Sequence, residues 1–284
     1  MCEEPVDEPR VPARIFVLLA REQPIGLVLR RGPTKKVCTI RWDRSTDRFQ
    51  LGQWIKGRIY SHRCDLSPDG QFFLYFAANY GRTKPPLDGS WTGLSRVPYV
   101  KALGLWAKGD GWNGGGCFVD DTRYWIHEGE HDMAHRTIHE PEGFERVSND
   151  WNAQSNGPWP GIYVARLLRD GWTLKSRRDP PARPSDVLQR ELPGGWILEQ
   201  TVDVCDSRRP GTELDDYGLR HPGTSRYLAC PDWTWADYDP IRNRLAWASE
   251  GCLRTGELDE QGLVDAQVIH DFNTMTFKAV RAPY

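Results

Sequence analysis

Between residues 14 and 55 the chain holds four apolar runs separated by three turns, which leaves room for little but a meander of short strands. The runs are 14–20, 25–31, 37–43 and 49–55. The breaks hold Gln23-Pro24, Gly32-Pro33 and Asp43-Arg44-Ser45-Thr46-Asp47, residues that preset φ or accept a tight corner. Ile15-Phe16-Val17-Leu18-Leu19 is apolar on both faces, whereas Cys38, Ile40 and Trp42 alternate with polar neighbours. That mixture is expected where inner strands are sandwiched between neighbouring sheets and outer strands meet water.

The same grammar returns further along. Residues 59–66 lead into the turn Ser67-Pro68-Asp69-Gly70 and then 71–78, where Phe72, Leu74 and Phe76 face one way and Phe73, Tyr75 and Ala77 the other. A long loop at 79–99 precedes 100–107. A third, weaker group holds 117–121 and 124–128, then a polar stretch to about Trp151. A fourth holds 161–168, 172–177, 195–204 and 227–230, with a Pro-rich interruption at 180–184. The fifth is 235–239, 244–249, 252–258 and 264–271. No long window keeps a helical apolar period, and 185–192 is the only stretch that reads as a short helix. Five groups of about four strands predict an all-β fold, a single β-propeller of five four-stranded antiparallel blades, with six as the alternative. It would occupy 14–284 after a flexible, acidic, Pro-containing lead-in at 1–13.

Composition supports many strands and many turns, with 27 Gly, 21 Pro and 13 Trp in 284 residues. A formal charge of −2 argues against non-specific nucleic-acid binding, which needs a basic field. Seven Cys, with no Cys-x-x-Cys pair, fit neither a disulfide framework nor a zinc ribbon and predict free thiols. The start Met1-Cys2-Glu3-Glu4 lacks a basic and apolar leader, and the apolar run 15–20 is too short to span a bilayer. A cytoplasmic protein without membrane contact is expected.

The string Asp65-Leu66-Ser67-Pro68-Asp69-Gly70-Gln71-Phe72-Phe73-Leu74-Tyr75 resembles the repeat of TolB-like and WD-type β-propellers. Ala236-Asp237-Tyr238-Asp239-Pro240-Ile241-Arg242-Asn243-Arg244-Leu245-Ala246-Trp247 is similar to a degenerate copy, with Asn243 in the turn position. Phe118-Val119-Asp120-Asp121-Thr122-Arg123-Tyr124-Trp125 is a fainter third. Arg30-Arg31-Gly32-Pro33, Trp42-Asp43, Gly57-Arg58-Ile59-Tyr60 and Leu105-Trp106-Ala107-Lys108-Gly109-Asp110 together resemble an uncharacterised bacterial family of propeller-like proteins. The resemblance implies the fold and a bacterial, intracellular setting. It implies no activity.

His127-Glu128-Gly129-Glu130-His131 is a literal H-E-x-x-H, extended by His135 and His139. On a helix it would place two His beside one zinc ion with Glu128 as base, which makes His127, His131 and His135 the candidate metal ligands of a hydrolase. The preceding residues 123–126 read as a strand, however, and along a strand His127 and His131 would stand roughly 13 Å apart. A solvated polar loop is the commoner use of such residues, and the histidines beside Glu128, Glu130 and Asp132 offer a pH-dependent loop as a further alternative. The other candidate surface is the loop at 79–99 with 108–116, carrying Arg82, Lys84, Trp91, Arg96, Tyr99, Lys108, Asp110 and Trp112. Arg and Trp on a rigid scaffold suit recognition, or else plug a channel. Gly114-Gly115-Gly116 is no phosphate loop, since no Lys-Ser/Thr follows. A propeller glycosidase would need paired carboxyls about 5–9 Å apart. Asp65, Asp120, Asp121, Asp237 and Asp239 lie near strand ends, where turn capping is the usual role of Asp. No nucleophile elbow or cofactor motif is present. The expected function is therefore a non-catalytic binding protein or scaffold that engages a protein or a small polar ligand through the loops of one face, without a cofactor.

Overall fold

Residues 14–56 form the meander that the alternating runs predict. In the computed structural model, which describes residues 11–32, 35–81, 85–109, 111, 113–127, 136–148, 158–178, 185–203 and 215–284, sheet 1 runs in the order β1 (Arg14–Leu19), β2 (Ile25–Arg31), β3 (Lys36–Asp43), β4 (Arg48–Lys56). β1 and β2 are buried on both faces and β4 is only partly buried, the gradient expected from an inner to an outer strand.

Sheet 2 starts with β5 (Arg58–Ile59), a 3₁₀ turn at Ser61–Arg63 and β6 (Asp65–Leu66), both strands pairing with β7 (Phe72–Ala78). The Ser67–Gly70 corner is built as its residues dictate: Gly70 has φ +72°, its amide donates to the Ser67 carbonyl at 2.9 Å, and Asp69 accepts from the Gln71 amide at 2.9 Å. β8 (Ser90–Arg96) and β9 (Ala102–Ala107) complete the meander. Residues 90–96 of the predicted 79–99 loop are thus strand, because β8 finds partners on both sides in β7 and β9.

Sheet 3 is small: β10 (Gly116–Phe118) and β11 (Arg123–Ile126) form a hairpin. The chain then crosses back, β12 (Arg136–His139) pairing with β9, before β13 (Glu145–Arg146) joins β11 in parallel. Next comes the one α-helix among the described residues, α1 (Pro158–Arg169), where a strand was expected at 161–168. Ile162, Tyr163, Val164, Arg166 and Leu167 are all buried. The run Ile162-Tyr163-Val164 is β-branched and aromatic, which locally favours a strand, and Arg166 and Arg169 turn to the Cys64 carbonyl and Asp65 instead of to solvent.

Sheet 4 is five-stranded: β14 (Thr173–Arg178), β15 (Ser185–Glu191), β16 (Ile197–Asp203), β17 (Asp215–His221), β18 (Arg226–Cys230). β15 replaces the helix expected at 185–192; its neighbours β14 and β16 satisfy its backbone along both edges, which overrides local propensity. Sheet 5 is the meander β19 (Trp233–Asp239), β20 (Arg244–Ser249), β21 (Cys252–Leu258), β22 (Leu263–Asp271).

The sheets meet through their inner strands. β1 touches β6, β19 and β20; β6 touches β10; α1 touches β10 and β14; β17 touches β19. One hydrophobic core runs through sheets 1, 2, 4 and 5 and the helix, including Phe16, Trp42, Tyr163, Leu198, Trp235 and Trp247. Turns are fastened to one another by charge. Arg44, after β3, reaches Asp239 at the end of β19 at 3.2 Å, and Arg244 joins that Asp239 (3.2 Å) to Asp47 (2.6 Å). After β22 the chain crosses sheet 1, where the Gln53 side chain donates to the Val280 carbonyl at 2.8 Å, and ends on sheet 2. No helix among the described residues is long and apolar enough to cross a membrane.

Candidate functional site

Where β1 and β19 run past α1, their side chains leave a cavity of about 370 Å³. β1 gives it a wall of Val17 and Leu18, and β19 gives Trp235, Asp237 and Tyr238. Asp65 of β6 and Gln200 of β16 reach in from sheets 2 and 4. The unusual content is arginine: Arg21, Arg44, Arg166, Arg169 and Arg190 all line it.

Most of these charges are held by design of the neighbouring strands. Asp65 is 1% exposed and is gripped by both Nη atoms of Arg169, while its Oδ2 also accepts from the Phe118 amide at 2.7 Å. Arg169 turns its Nε to Asp170 at 2.8 Å. Arg190 of β15 donates to Asp237 at 2.7 Å. Burial pushes the Asp237 carboxyl above its ordinary range, against the opposing pull of Arg190. Arg44 donates through Nη2 to the Ala20 and Gln23 carbonyls (2.8 and 2.7 Å) and through Nη1 to Asp239. Every carboxylate of the cavity wall, Asp65, Asp170 and Asp237, therefore has an arginine partner.

Arg166 differs. It is 5% exposed, its Nη1 donates to the Cys64 carbonyl, and its guanidinium lies 5.4 Å from the Phe16 ring and 5.0 Å from the Tyr163 ring. The helix that carries it is anchored by a buried polar cluster. His62 stacks on Tyr163 with centroids 3.8 Å apart and reaches Asp215 at 3.0 Å, while Gln200 bridges Tyr163 and Asp215. Burial, with Asp215 alongside, pushes the Tyr163 phenol well above its ordinary value, so it stays protonated as a hydrogen-bonding O–H.

Of the loop residues singled out from sequence, Trp91, Arg96, Tyr99 and Lys108 are described, and none of these four lines the cavity. Trp91 is in β8, opposite Ala77 and Ala107, and packs half-buried on the core. Lys108 is fully buried rather than on a surface loop. Arg96 and Tyr99 hold the chain's end: the Arg96 amide donates to the Tyr284 hydroxyl at 3.1 Å, and the Tyr99 and Tyr284 rings meet edge-on at 6.1 Å. Arg82, Lys84, Asp110 and Trp112 lie outside the described residues. The nearby Tyr80 and Asn79 border a surface groove of about 760 Å³ that also takes in Arg31 and Arg58.

Of the histidines, His127 continues β11 in extended form, exchanging backbone hydrogen bonds with Gly115 (2.8 Å) and Gly114 (3.1 Å). His139 is exposed on β12 in sheet 2. His131 and His135 lie outside the described residues. The rest of the H-E-x-x-H motif, residues 128–131, also lies outside the described residues. The glycine run is steric: a Cβ on Gly115 (φ +84°) would come within 2.3 Å of the Arg63 carbonyl.

Among the five carboxylates weighed from sequence, Asp65 and Asp237 reach the cavity. Asp239 backs Arg44. Asp120 caps its own turn, where the Thr122 and Arg123 amides and the Arg123 side chain hold it down to about 2. Asp121 accepts from the Asp69 amide at 2.8 Å. Sequence reasoning missed Arg44, Arg166, Arg169 and Arg190. The available signal was a cation inside an apolar run, as in Ile162-Tyr163-Val164-Ala165-Arg166-Leu167-Leu168. Trp42, Trp106 and Trp196 are fully buried, so they are core and offer no stacking surface.

No protein-family model matches the chain, and no curated protein does. Similar solved structures include a mutant of the GH43 protein BlXynB from Bacillus licheniformis, at 10% identity and TM-score 0.36, covering 89% of this chain and 51% of that one. Others are the uncharacterized protein lmo1340 from Listeria monocytogenes EGD-e (9%, TM-score 0.32, covering 91% and 83%) and Saccharomyces cerevisiae Sqt1 (11%, TM-score 0.32, covering 90% and 86%). The chain spans about half the length of the GH43 protein. At such scores none assigns a family or an activity, and only the cavity and its side chains bear on function.

Proposed function

We propose that the five sheets are blades of one β-propeller and that the protein is a non-catalytic receptor for a small polar ligand held at its centre. The contacts of β1 with β6 and β19, of β6 with β10, of α1 with β10 and β14, and of β17 with β19 support a closed ring around the cavity. The observation that carries the receptor reading is the set of buried, paired charges around a 370 Å³ hollow. Such pairs are expensive to bury unless their directed hydrogen bonds do something beyond packing. Each lining carboxylate is occupied by arginine, which suits recognition better than proton transfer.

A thermal-shift screen of small polar metabolites tests this. A ligand at a hundred times its Kd should raise the melting temperature by roughly 5–10 °C. Arg190→Ala should abolish that shift and Arg96→Ala should not; equal shifts in both variants would move the site elsewhere. A second reading, hydrolysis by paired carboxyls, is favoured by one observation, the raised carboxyl of Asp237 in the same cavity as Asp65. Turnover of chromogenic aryl glycosides that disappears in Asp237→Asn would establish it. Elemental analysis is expected to find no stoichiometric zinc; zinc lost on His127→Ala would restore the metal-hydrolase alternative.

A further inference from the structure

We infer that the cavity is an oxyanion receptor with Arg166 as its anchor, an inference that rests on the cavity being the ligand site. Of the arginines that line the cavity, Arg44, Arg169 and Arg190 are each neutralised by a carboxylate, and Arg21 sits exposed at the rim with a Val119 carbonyl at 3.4 Å. Arg166 is 5% exposed and has no carboxylate within ion-pair distance among the described residues. Its Nη1 is used by the Cys64 carbonyl, while Nε and Nη2 have no protein acceptor among those residues.

A guanidinium cannot shed its proton to escape this, so the charge is retained on a side chain that is 5% exposed and lines the cavity. Removing a charge from water without a counter-charge is unfavourable, and the missing counter-charge is what an anionic ligand would bring. Geometry selects the kind of anion. Phe16 and Tyr163 lie at 5.4 and 5.0 Å from the guanidinium carbon and fix its plane, and α1 is itself pinned through Tyr163 to Gln200 and His62. The two unused N–H positions then present a fixed fork, which fits two oxygens of one phosphate or carboxylate far better than a spherical halide. The pairing of Asp65, Asp170 and Asp237 with Arg169 and Arg190 keeps those carboxylates from repelling such a group. The class is thus a small polar molecule with a phosphate or carboxylate head.

Titration calorimetry and thermal shift on the full chain at fixed ionic strength, with sodium phosphate, sodium succinate, sodium chloride and glucose as probes, decide the matter. Phosphate or succinate should bind saturably and raise the melting temperature above the chloride control, and the stronger of the two names the head group. Arg166→Lys, which keeps the charge and loses the fork, should weaken that binding about 10- to 100-fold. Arg166→Met should abolish it; if that variant does not fold, the Lys variant still decides. Oxyanions that act no differently from chloride, or that bind Arg166→Lys as tightly as the wild type, would overturn the inference. A neutral metabolite that needs Arg190 and ignores Arg166 would overturn it too while leaving the receptor reading standing. A cavity that takes no probe and no metabolite removes both.

Discussion

Asp239→Asn takes a negative charge from a place where no water can stand in for it. Asp239 is fully buried and Arg44 is 2% exposed, and they join turns of sheets 1 and 5 that are 195 residues apart. Asp239 accepts from Arg44 Nη1, Arg244 Nε and the Ile241 amide, each at 3.2 Å. Arg244 keeps Asp47 at 2.6 Å after the change, so the stranded cation is Arg44, tied in place by the Ala20 and Gln23 carbonyls. Burial already works against the Arg44 charge and lowers its pKa, with Asp239 the main opposing influence. Breaking one side of a buried pair costs about 3–5 kcal/mol, which for a chain of this size is a fall of roughly 6–15 °C in melting temperature. The assay is urea unfolding followed by tryptophan fluorescence, where the midpoint should drop at constant slope. Arg44→Met with Asp239→Asn should be less destabilised than the sum of the singles by about 1–3 kcal/mol, because no charge is then stranded. Glu250→Gln, which breaks the exposed pair with Arg254, should change stability by less than about 0.5 kcal/mol. An Asp239→Asn variant within about 1 kcal/mol of the wild type would refute the buried staple.

Two further outcomes follow from individual residues. His270 lies between Phe49 and Phe272, at 4.4 Å from each ring, and burial holds its pKa below the ordinary 6.5, against the pull of Asp271. The unfolded chain therefore takes up that proton first as pH drops: stability should be full above about pH 6.5 and fall as pH passes down through the lower folded value. His270→Phe should flatten this limb of a plot of urea midpoint against pH; an unchanged slope counts against it. The Cys38 thiol is fully buried, and burial, partly offset by Arg30, pushes it up to about 12. Peptide-resolved alkylation with iodoacetamide at pH 8 should leave Cys38 unlabelled in the native protein and label it in urea. Rapid native labelling would contradict its burial.

Strands and corners were legible because they are local. Ile15–Leu19 and Phe72–Phe76 carry their two-faced burial in consecutive residues, and Ser67-Pro68-Asp69-Gly70 holds its whole corner within four residues. Asn243 likewise takes the left-handed conformation (φ +50°) that its turn position predicts. The misreadings have a common cause, surroundings supplied from elsewhere in the chain. Among the described side chains of α1, none from 161 to 169 is exposed, and 185–191 is strand because β14 and β16 flank it. The loop expected at 79–99 has β8 within it for the same reason.

By itself the amino-acid order determined an all-β chain of repeated antiparallel groups, since a period of two and the chemistry of turns act over a handful of residues. It could not say which arginines would be buried or what would hold them. Asp65 meets Arg169 across 104 positions and Arg44 meets Asp239 across 195. Whether a buried arginine is paired, as Arg169 is, or left facing a cavity, as Arg166 is, depends on which distant carboxylate the fold sets beside it. Tertiary structure alone makes that choice, because desolvation and ion pairing act through space and not along the chain.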